Sequence, residues 1–228
     1  MTDKVAFIYV NYQNSQETIN SISNIIKKLD SQDTIVIVDN NSHRSNRRIL
    51  IESFNSNRNI KIVQNNENLG FSNGVNLGLK CARSLGYSLH FVCNPDTRFF
   101  ISDVKNLINS SNSHSASVSS PLVKNENGII DKNCYRSLRT YADYFFSTGL
   151  TGLLISMVSR SRSENTISKI TFVDVISGCF FLINDRFGDI TLDEDLFLYL
   201  EEFSLGQELR KRHLKTIIDP SVEIIHLT

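Results

Sequence analysis

The chain has 228 residues, 40% of them hydrophobic and 21% charged, with 24 basic and 24 acidic side chains. A formal net charge of zero, with no long Lys/Arg block, excludes the broad electrostatic pull that serves nucleic-acid binders, so any anionic ligand must be met by a local site. The length suits one large domain or two small ones.

VAFIYV, residues 5–10, is a continuous β-branched and aromatic run, the pattern of a strand covered on both faces. Preceded by Asp3 and Lys4, it is too short for the apolar core of a signal peptide. Asn14 or Ser15 then caps a helix whose Ile19, Ile22, Ile26 and Leu29 follow helical spacing. TIVIV (34–38) is a second buried strand, ending at DNNS, and a helix is expected over Arg47 to Phe54. IKIV (60–63) is a short third strand. Beyond QNNENLG, Phe71, Val75, Leu79 and Ala82 fall on one side of a helix that Gly86 stops. LHFVC (89–93) is the fourth strand, followed at once by Asn94, Pro95 and Asp96.

Strands alternating with helices over short connections imply an α/β chain with a parallel, doubly wound sheet. Ligands of such sheets sit outside the carboxyl ends of the strands. Those ends read NYQN, DNNS, QNNENLG and NPD, so amides and carboxylates gather where the topology places a pocket. The second half is less regular. Ser-rich NSSNSHSASVSS (109–120) reads as a surface connection or a poorly packed helix end. FVDVISGCFFLI (172–183) contains a core strand with a glycine kink, and Phe203, Leu205 and Leu209 anchor a later helix opening at Glu201 and Glu202. With no long linker and no repeat, residues 1–228 form one domain with two functional halves, 1–104 and 105–228.

Cys81, Cys93, Cys134 and Cys179 show no CxxC spacing and read as free thiols in a reducing compartment. No run reaches the roughly 18 apolar residues that a membrane span needs. YFFSTGLTGLLISMV (144–158), followed by Arg160 and Arg162, reads as a core helix or as a segment at a membrane surface. The expected location is cytoplasmic, or the inner face of the cytoplasmic membrane.

Several chemistries fall away. No glycine follows the first strand, so neither a G-x-G-x-x-G dinucleotide loop nor a P-loop is present, and no G-x-S-x-G elbow occurs. What remains is a nucleotide pocket built from side chains. Asp39 ends the second strand, where a carboxylate can meet a base or ribose. Gly70, Gly74 and Gly78, four apart, permit close approach of a strand or a ligand. Asp96 is either an ordinary turn residue or an oxygen ligand for a divalent cation beside a diphosphate. Glu201 and Glu202 either complement a helix dipole or supply a general base. His226 is a late, isolated imidazole that can ligate a metal.

The ordered series VNYQN, IVDNNS, NENLGFSNGVNLG, NPD, VDVISGCFFLI, LDEDLFLYLEE and a terminal V-x-I-I-H resembles the family-2 glycosyltransferases of the GT-A fold. It is most similar to the rhamnosyltransferase-like subset of bacterial surface-polysaccharide biosynthesis (O-antigen or capsule). The likeness spans nearly the whole chain and is weakest from about 105 to 170. It implies a single Rossmann-like α/β domain with a mostly parallel central sheet flanked by helices. The first half would bind the donor and the second the acceptor.

Residue by residue, the resemblance makes Asp39 the nucleoside contact, with Asn11 and Tyr12 as the adjacent wall. Asn68, Gly70, Asn73 and Asn76 line the diphosphate side. Asp96 takes the metal role of the second Asp of D-x-D, with Asn94 in place of the first. Ser177, Gly178, Cys179 and Glu201 border the sugar and acceptor. Glu202 stands where the family has the Asp of its E-D pair, the catalytic base, and His226 matches a late histidine that contacts metal or phosphate. Glu208 and His213 replace a usual basic residue and a usual glycine.

The implied reaction is inverting, metal-dependent (Mg²⁺ or Mn²⁺) hexosyl or deoxyhexosyl transfer. The donor is a UDP-, dTDP- or GDP-linked sugar and the acceptor a hydroxyl of a glycan or polyprenyl-linked sugar, with peripheral membrane contact and no nucleic acid. The alternative is a non-catalytic nucleotide-sugar-binding GT-A protein serving as an assembly partner. A sugar-nucleotide-forming nucleotidyltransferase fits worse, because no Gly- and Arg-rich loop with a lysine follows the first strand. The oligomeric state has no signature.

Overall fold

The computed structural model describes residues 3–131, 134–136 and 167–227. The 144–158 stretch, Arg160 and Arg162 lie outside them. The alternation of the first half folds as β1 (Ala6–Asn11), α1 (Ser15–Ile25), β2 (Thr34–Asp39), α2 (Arg44–Phe54), β3 (Ile60–Gln64), α3 (Gly70–Ser84) and β4 (Leu89–Cys93). There follow β5 (Thr97–Arg98), α4 (Ile101–His114), β6 (Val118–Lys124), β7 (Tyr135–Arg136), β8 (Thr171–Phe172), β9 (Val175–Ile176), β10 (Phe180–Asn184), α5 (Glu201–Lys211) and β11 (Thr216–His226).

The central sheet runs β3-β2-β1-β4-β10-β6-β11-β5, with β8 against β11. Strands β3, β2, β1 and β4 are mutually parallel, as helical crossovers dictate. Antiparallel pairing begins at β10, which lies against both β4 and β6. The sheet is therefore mixed: β3, β2, β1 and β4 form one parallel block, β6 and β11 pair in parallel again, and β5 and β8 pair antiparallel to β11. No described helix is long and apolar enough to cross a membrane.

Apolar side chains fill both faces. Ile22, Ile25, Leu50, Phe54, Val104, Leu107 and Ile108 from α1, α2 and α4 cover one side with Phe7, Tyr9 and Phe91 beneath them. Val75, Leu79, Ala82, Leu205 and Leu209 from α3 and α5 cover the other, over Ile8, Val36 and Val38. Glycine lets α3 come close to β1: a Cβ at Gly78 would stand 2.4 Å from Ile8 Cγ2, and one at Gly74 2.8 Å from Val10 Cγ1. Of the two uses open to these glycines, the structure assigns strand contact.

The serine-rich segment 109–120 ends a helix as far as His114, where α4 stops, and departs from expectation only beyond it. Ser117, Ser119 and Ser120 are fully buried, at the start of and within a strand that β10 and β11 flank. The ladders satisfy the backbone, while Ser117 Oγ donates to Phe187 O (3.0 Å) and Ser120 Oγ to Phe180 O (3.4 Å). Small hydroxyls bonded this way suit a strand covered on both faces, despite their low hydropathy.

Candidate active site

Strands β1 and β2 end in register at Asn11 and Asp39. Asp39 is fully buried, and its carboxylate accepts from Asn11 Nδ2 (2.9 Å) and Arg47 Nε (2.9 Å). Asn11 Oδ1 in turn accepts from Thr18 Oγ1 (2.9 Å), and its amide also reaches Ser42 Oγ (3.1 Å). A charge this deep needs partners to offset lost hydration, and Arg47, entering from the first turn of α2, supplies one. Asp39 thus lies behind Asn11 and fixes its orientation.

Asn40 is the next hub. Its amide donates to Asn68 Oδ1 (2.8 Å) and Gly70 O (2.9 Å). Its carbonyl accepts from Asn65 Nδ2 (2.8 Å) and Leu69 N (3.2 Å). One buried side chain therefore shapes the whole turn into α3. Gly70 has φ +81°, and a Cβ there would lie 2.1 Å from Phe197 O, so both backbone and space require glycine. Asn73 Nδ2 donates to Glu194 O (2.9 Å), while Asn76 exchanges two 2.8 Å bonds with the Leu192 backbone. These two amides staple α3 to the segment before α5.

That segment carries Phe197, Leu198, Tyr199 and Leu200, all exposed. Tyr199 and Leu200 both have φ +68°. Left-handed backbone at two bulky residues costs on the order of 1 kcal/mol or more each, the kind of strain found at functional sites. The turn it makes sets the direction in which Glu201 and Glu202 enter α5.

A cavity of about 380 Å³ opens at the carboxyl ends of β1 and β4, lined by Asn11, Tyr12, Asn68, Gly70, Asn94 and Asp96, together with Phe197 and Leu198. Six sequence-predicted positions thus meet in one place. The NPD stretch is both a turn and a cavity wall. Thr97 N donates to Asn94 O (3.2 Å), closing a β-turn with Pro95 and Asp96 at its centre. Asp96 O accepts from Leu227 N (2.8 Å), which ties the turn to the end of β11. Asp96 Oδ2 stands 3.1 Å from His226 Nε2 in a charge contact without the alignment of a hydrogen bond, and Oδ1 is buried with no partner. The Asp96 carboxylate raises the His226 pKa.

The family model for glycosyl transferase family 2 matches residues 7–184. The chain belongs to that family. Agl10 of Haloferax volcanii, a hexosyltransferase of low-salt glycan biosynthesis, is 25% identical over 228 residues, covering 99% of this chain and 68% of that protein. Among solved structures, GalNAc-T7 with UDP, GalNAc and Mn²⁺ superposes with TM-score 0.70 at 14% identity, over 99% of this chain and 44% of that one. Residues 1–349 of Staphylococcus aureus TarS give TM-score 0.64 at 15% identity, over 98% of this chain and 60% of that one. The family-2 chain therefore spans about half of these structural neighbours, with which it shares the GT-A fold.

In this family member the Ser177–Cys179 turn adjoins the NPD turn through Asn94 N, which donates to Cys179 O (2.8 Å). Ser177 Oγ donates to Cys179 Sγ (3.3 Å), and burial drives that thiol to a pKa of about 12, so it is inert as a nucleophile. Gly178 N donates to Glu202 Oε1 (3.1 Å). Glu201 is buried, its Oε2 has no hydrogen-bond partner, and burial raises its pKa. A larger cavity, about 640 Å³ between α1, β5 and β11, contains none of the predicted positions. Its only carboxylate, Glu223, is paired with Lys124.

Asn40, Ser42 and Arg47 escaped the reading from sequence. The signal was present in DNNS, a polar run that continues directly from a fully buried strand. Asp185 was missed as well, far from the cavity, where it takes two 2.8 Å bonds from Arg83 and contacts His90 Nε2 at 2.7 Å.

Proposed function

We propose that this family-2 protein is an inverting glycosyltransferase, moving a hexosyl or deoxyhexosyl group from a nucleoside-diphosphate sugar to a hydroxyl of a glycan or polyprenyl-linked acceptor. The observation that carries the reading is the cavity at the strand ends, where an amide wall, an exposed tyrosine and a carboxylate with one unpartnered buried oxygen converge. Tyr12 offers a face for the base. Asn11 and Asn68 offer hydrogen bonds to the nucleoside and diphosphate, with Asp39 and Asn40 holding each in place.

Asp96 and His226 fit a divalent cation. The Asp96 oxygen without a partner is the kind of donor that an oxygen-seeking ion takes, and diphosphate oxygens complete such coordination in sites with few protein ligands. Among the described residues no cluster of three His, Cys, Asp or Glu exists. When bound, the ion offsets charge on the departing diphosphate. Glu202 takes the proton from the acceptor hydroxyl, whose oxygen bonds to the anomeric carbon as the carbon–oxygen bond to the diphosphate breaks on the opposite face. Residues 1–104 serve the donor and 105–228 the acceptor.

The test is release of nucleoside diphosphate from a panel of UDP-, dTDP- and GDP-sugars with Mn²⁺, Mg²⁺ or EDTA. UDP donors come first, given the UDP and Mn²⁺ in the GalNAc-T7 structure. One donor turning over with metal, stopped by EDTA and by Asp96→Ala, is the expected result. Turnover that survives EDTA contradicts the metal assignment. Tight nucleotide binding with no turnover, lipid-linked acceptors included, supports the non-catalytic reading instead.

A further inference from the structure

The cavity of about 640 Å³ between α1, β5 and β11 takes no part in the donor site, yet its size is that of a small-molecule site. Ile25, Phe99 and Ile224 give it an apolar floor continuous with the core, where the Phe99 ring packs 4.5 Å from that of Phe180. Phe100, 69% exposed, and Ile225, 38% exposed, leave large apolar surfaces in water at the same place. Lys28 and Arg98 also line it, and neither has an ion-pair partner among the described residues. Lys124 is taken by Glu223, so the cavity keeps an excess of positive charge. Its hydroxyls are already engaged: Ser21 Oγ donates to Tyr9 OH (3.4 Å) and Thr97 Oγ1 to Asn94 O (2.7 Å). Apart from the two cations, Asn24 is the one polar lining side chain without a partner among the described residues. A sugar or a nucleotide needs several directed hydrogen bonds and does not find them here. Apolar surface beside unpaired cations suits an anionic group carried on an apolar chain.

The position of the cavity says which anion it serves. Strand β5 pairs with β11 so that Thr97 faces His226 and Arg98 faces Ile225. The cavity therefore begins one residue past the Asp96–His226 contact, and the stretch 94–98 walls the donor cavity at one end and this cavity at the other. The donor cavity is lined by Glu17 and Asp96 and by no Lys or Arg among the described residues, so a second phosphate finds its cations only next door. We propose that this neighbouring cavity binds the phosphate and first isoprene units of a lipid-linked acceptor. Arg98 and Lys28 meet the phosphate, while Phe100, Ile225 and the apolar floor enclose the chain. Helix α1 and β5 thereby join β11 in holding the acceptor's carrier. Assigning the ligand to the acceptor rests on the glycosyl transfer proposed above; the binding itself does not.

The experiment is calorimetric titration of the full chain with monomeric farnesyl phosphate, with farnesol, inorganic phosphate, and UDP with Mn²⁺ as separate titrants. Farnesyl phosphate should bind one site per chain, more tightly than farnesol or inorganic phosphate. The double variant Lys28→Gln, Arg98→Gln should weaken it about tenfold, as the loss of two exposed charge contacts implies. Phe100→Ser should also weaken it about tenfold through lost apolar contact, and serine suits the helix start that Phe100 occupies. The affinity for UDP with Mn²⁺ should stay within about twofold in both variants, which shows that they fold. Farnesol binding as tightly as farnesyl phosphate, or binding untouched by both variants, overturns the proposal. So does retention on phosphatidylglycerol vesicles, lost in the double variant, without binding of monomeric farnesyl phosphate, since the face is then a membrane contact. In turnover, farnesyl phosphate should compete with the lipid-linked acceptor; competition with the donor refutes the placement. If no donor turns over while farnesyl phosphate binds as expected, glycosyl transfer fails and the cavity's ligand class stands.

Discussion

Asn40→Ala tests how the pocket is held. The substitution deletes four hydrogen bonds: those to Asn68 Oδ1 and Gly70 O, and those from Asn65 Nδ2 and Leu69 N. Asn68 and Leu69 reach solvent, so water takes over there and each loss costs about 0.5–1 kcal/mol. Asn65 and Gly70 belong to buried residues, and a polar group stranded without a partner costs about 1–3 kcal/mol. Allowing the 65–69 turn to relax, the expected loss is about 2–4 kcal/mol. Asn40→Asp should be no better, since its second oxygen would face the acceptor atoms of Asn68 and Gly70. Urea unfolding with linear extrapolation measures the change, and titration with UDP and Mn²⁺ should show weaker binding. A loss under about 0.5 kcal/mol with unaltered nucleotide affinity would refute the claim that Asn40 organises the turn.

Two further perturbations probe a buried and a partly buried carboxylate. Burial raises the Glu201 pKa above its ordinary 4.5, so ionisation there opposes folding. Glu201→Gln should therefore stabilise the protein at neutral pH by on the order of 1 kcal/mol, with an advantage that vanishes below pH 4.5. Tm measured against pH shows whether the two curves converge on the acid side. Burial also pushes the Asp185 carboxyl upward, but the hydrogen bonds and charges of Arg83 and His90 outweigh it and the net pKa is lowered. Its contribution is thus present above the ordinary 3.8 and lost as pH falls through the lowered value. Asp185→Asn should cost about 2–4 kcal/mol at neutral pH, less in strong acid. Nucleotide affinity should not change, because β10 runs antiparallel to β4 and brings Asp185 near the start of that strand, away from the cavity. A Tm difference that persists undiminished at low pH would contradict this.

The half of the fold that could be read from sequence is the half with simple periodicity. VAFIYV, TIVIV and LHFVC are buried on both faces and separated by helices with one apolar stripe, so length and spacing alone identify them. Residues 117–120 defeat the same logic: serines hidden between two neighbouring strands look like a loop, and only long-range partners reveal the core. At the site, strand-end chemistry marked Asn11, Asn68, Asn94 and Asp96, which do share a cavity. It could not separate residues facing that cavity from those bracing it. Asp39 sits behind Asn11, and Asn73 and Asn76 bind the chain near 192–194, because their partners lie far away in sequence. Asn40 went unremarked since nothing local distinguishes it from Asn41, which is exposed at φ +64°.

The most direct measurement is nucleoside diphosphate release by wild type and Glu202→Gln at saturating metal, with donor Kd determined on the same preparations. The account predicts a fall in turnover of about a thousandfold or more, with Kd changed by less than about twofold, because a base acts in the transition state and not in donor binding. A Glu202→Gln protein that turns over at the wild-type rate, or that loses donor binding together with activity, would contradict it.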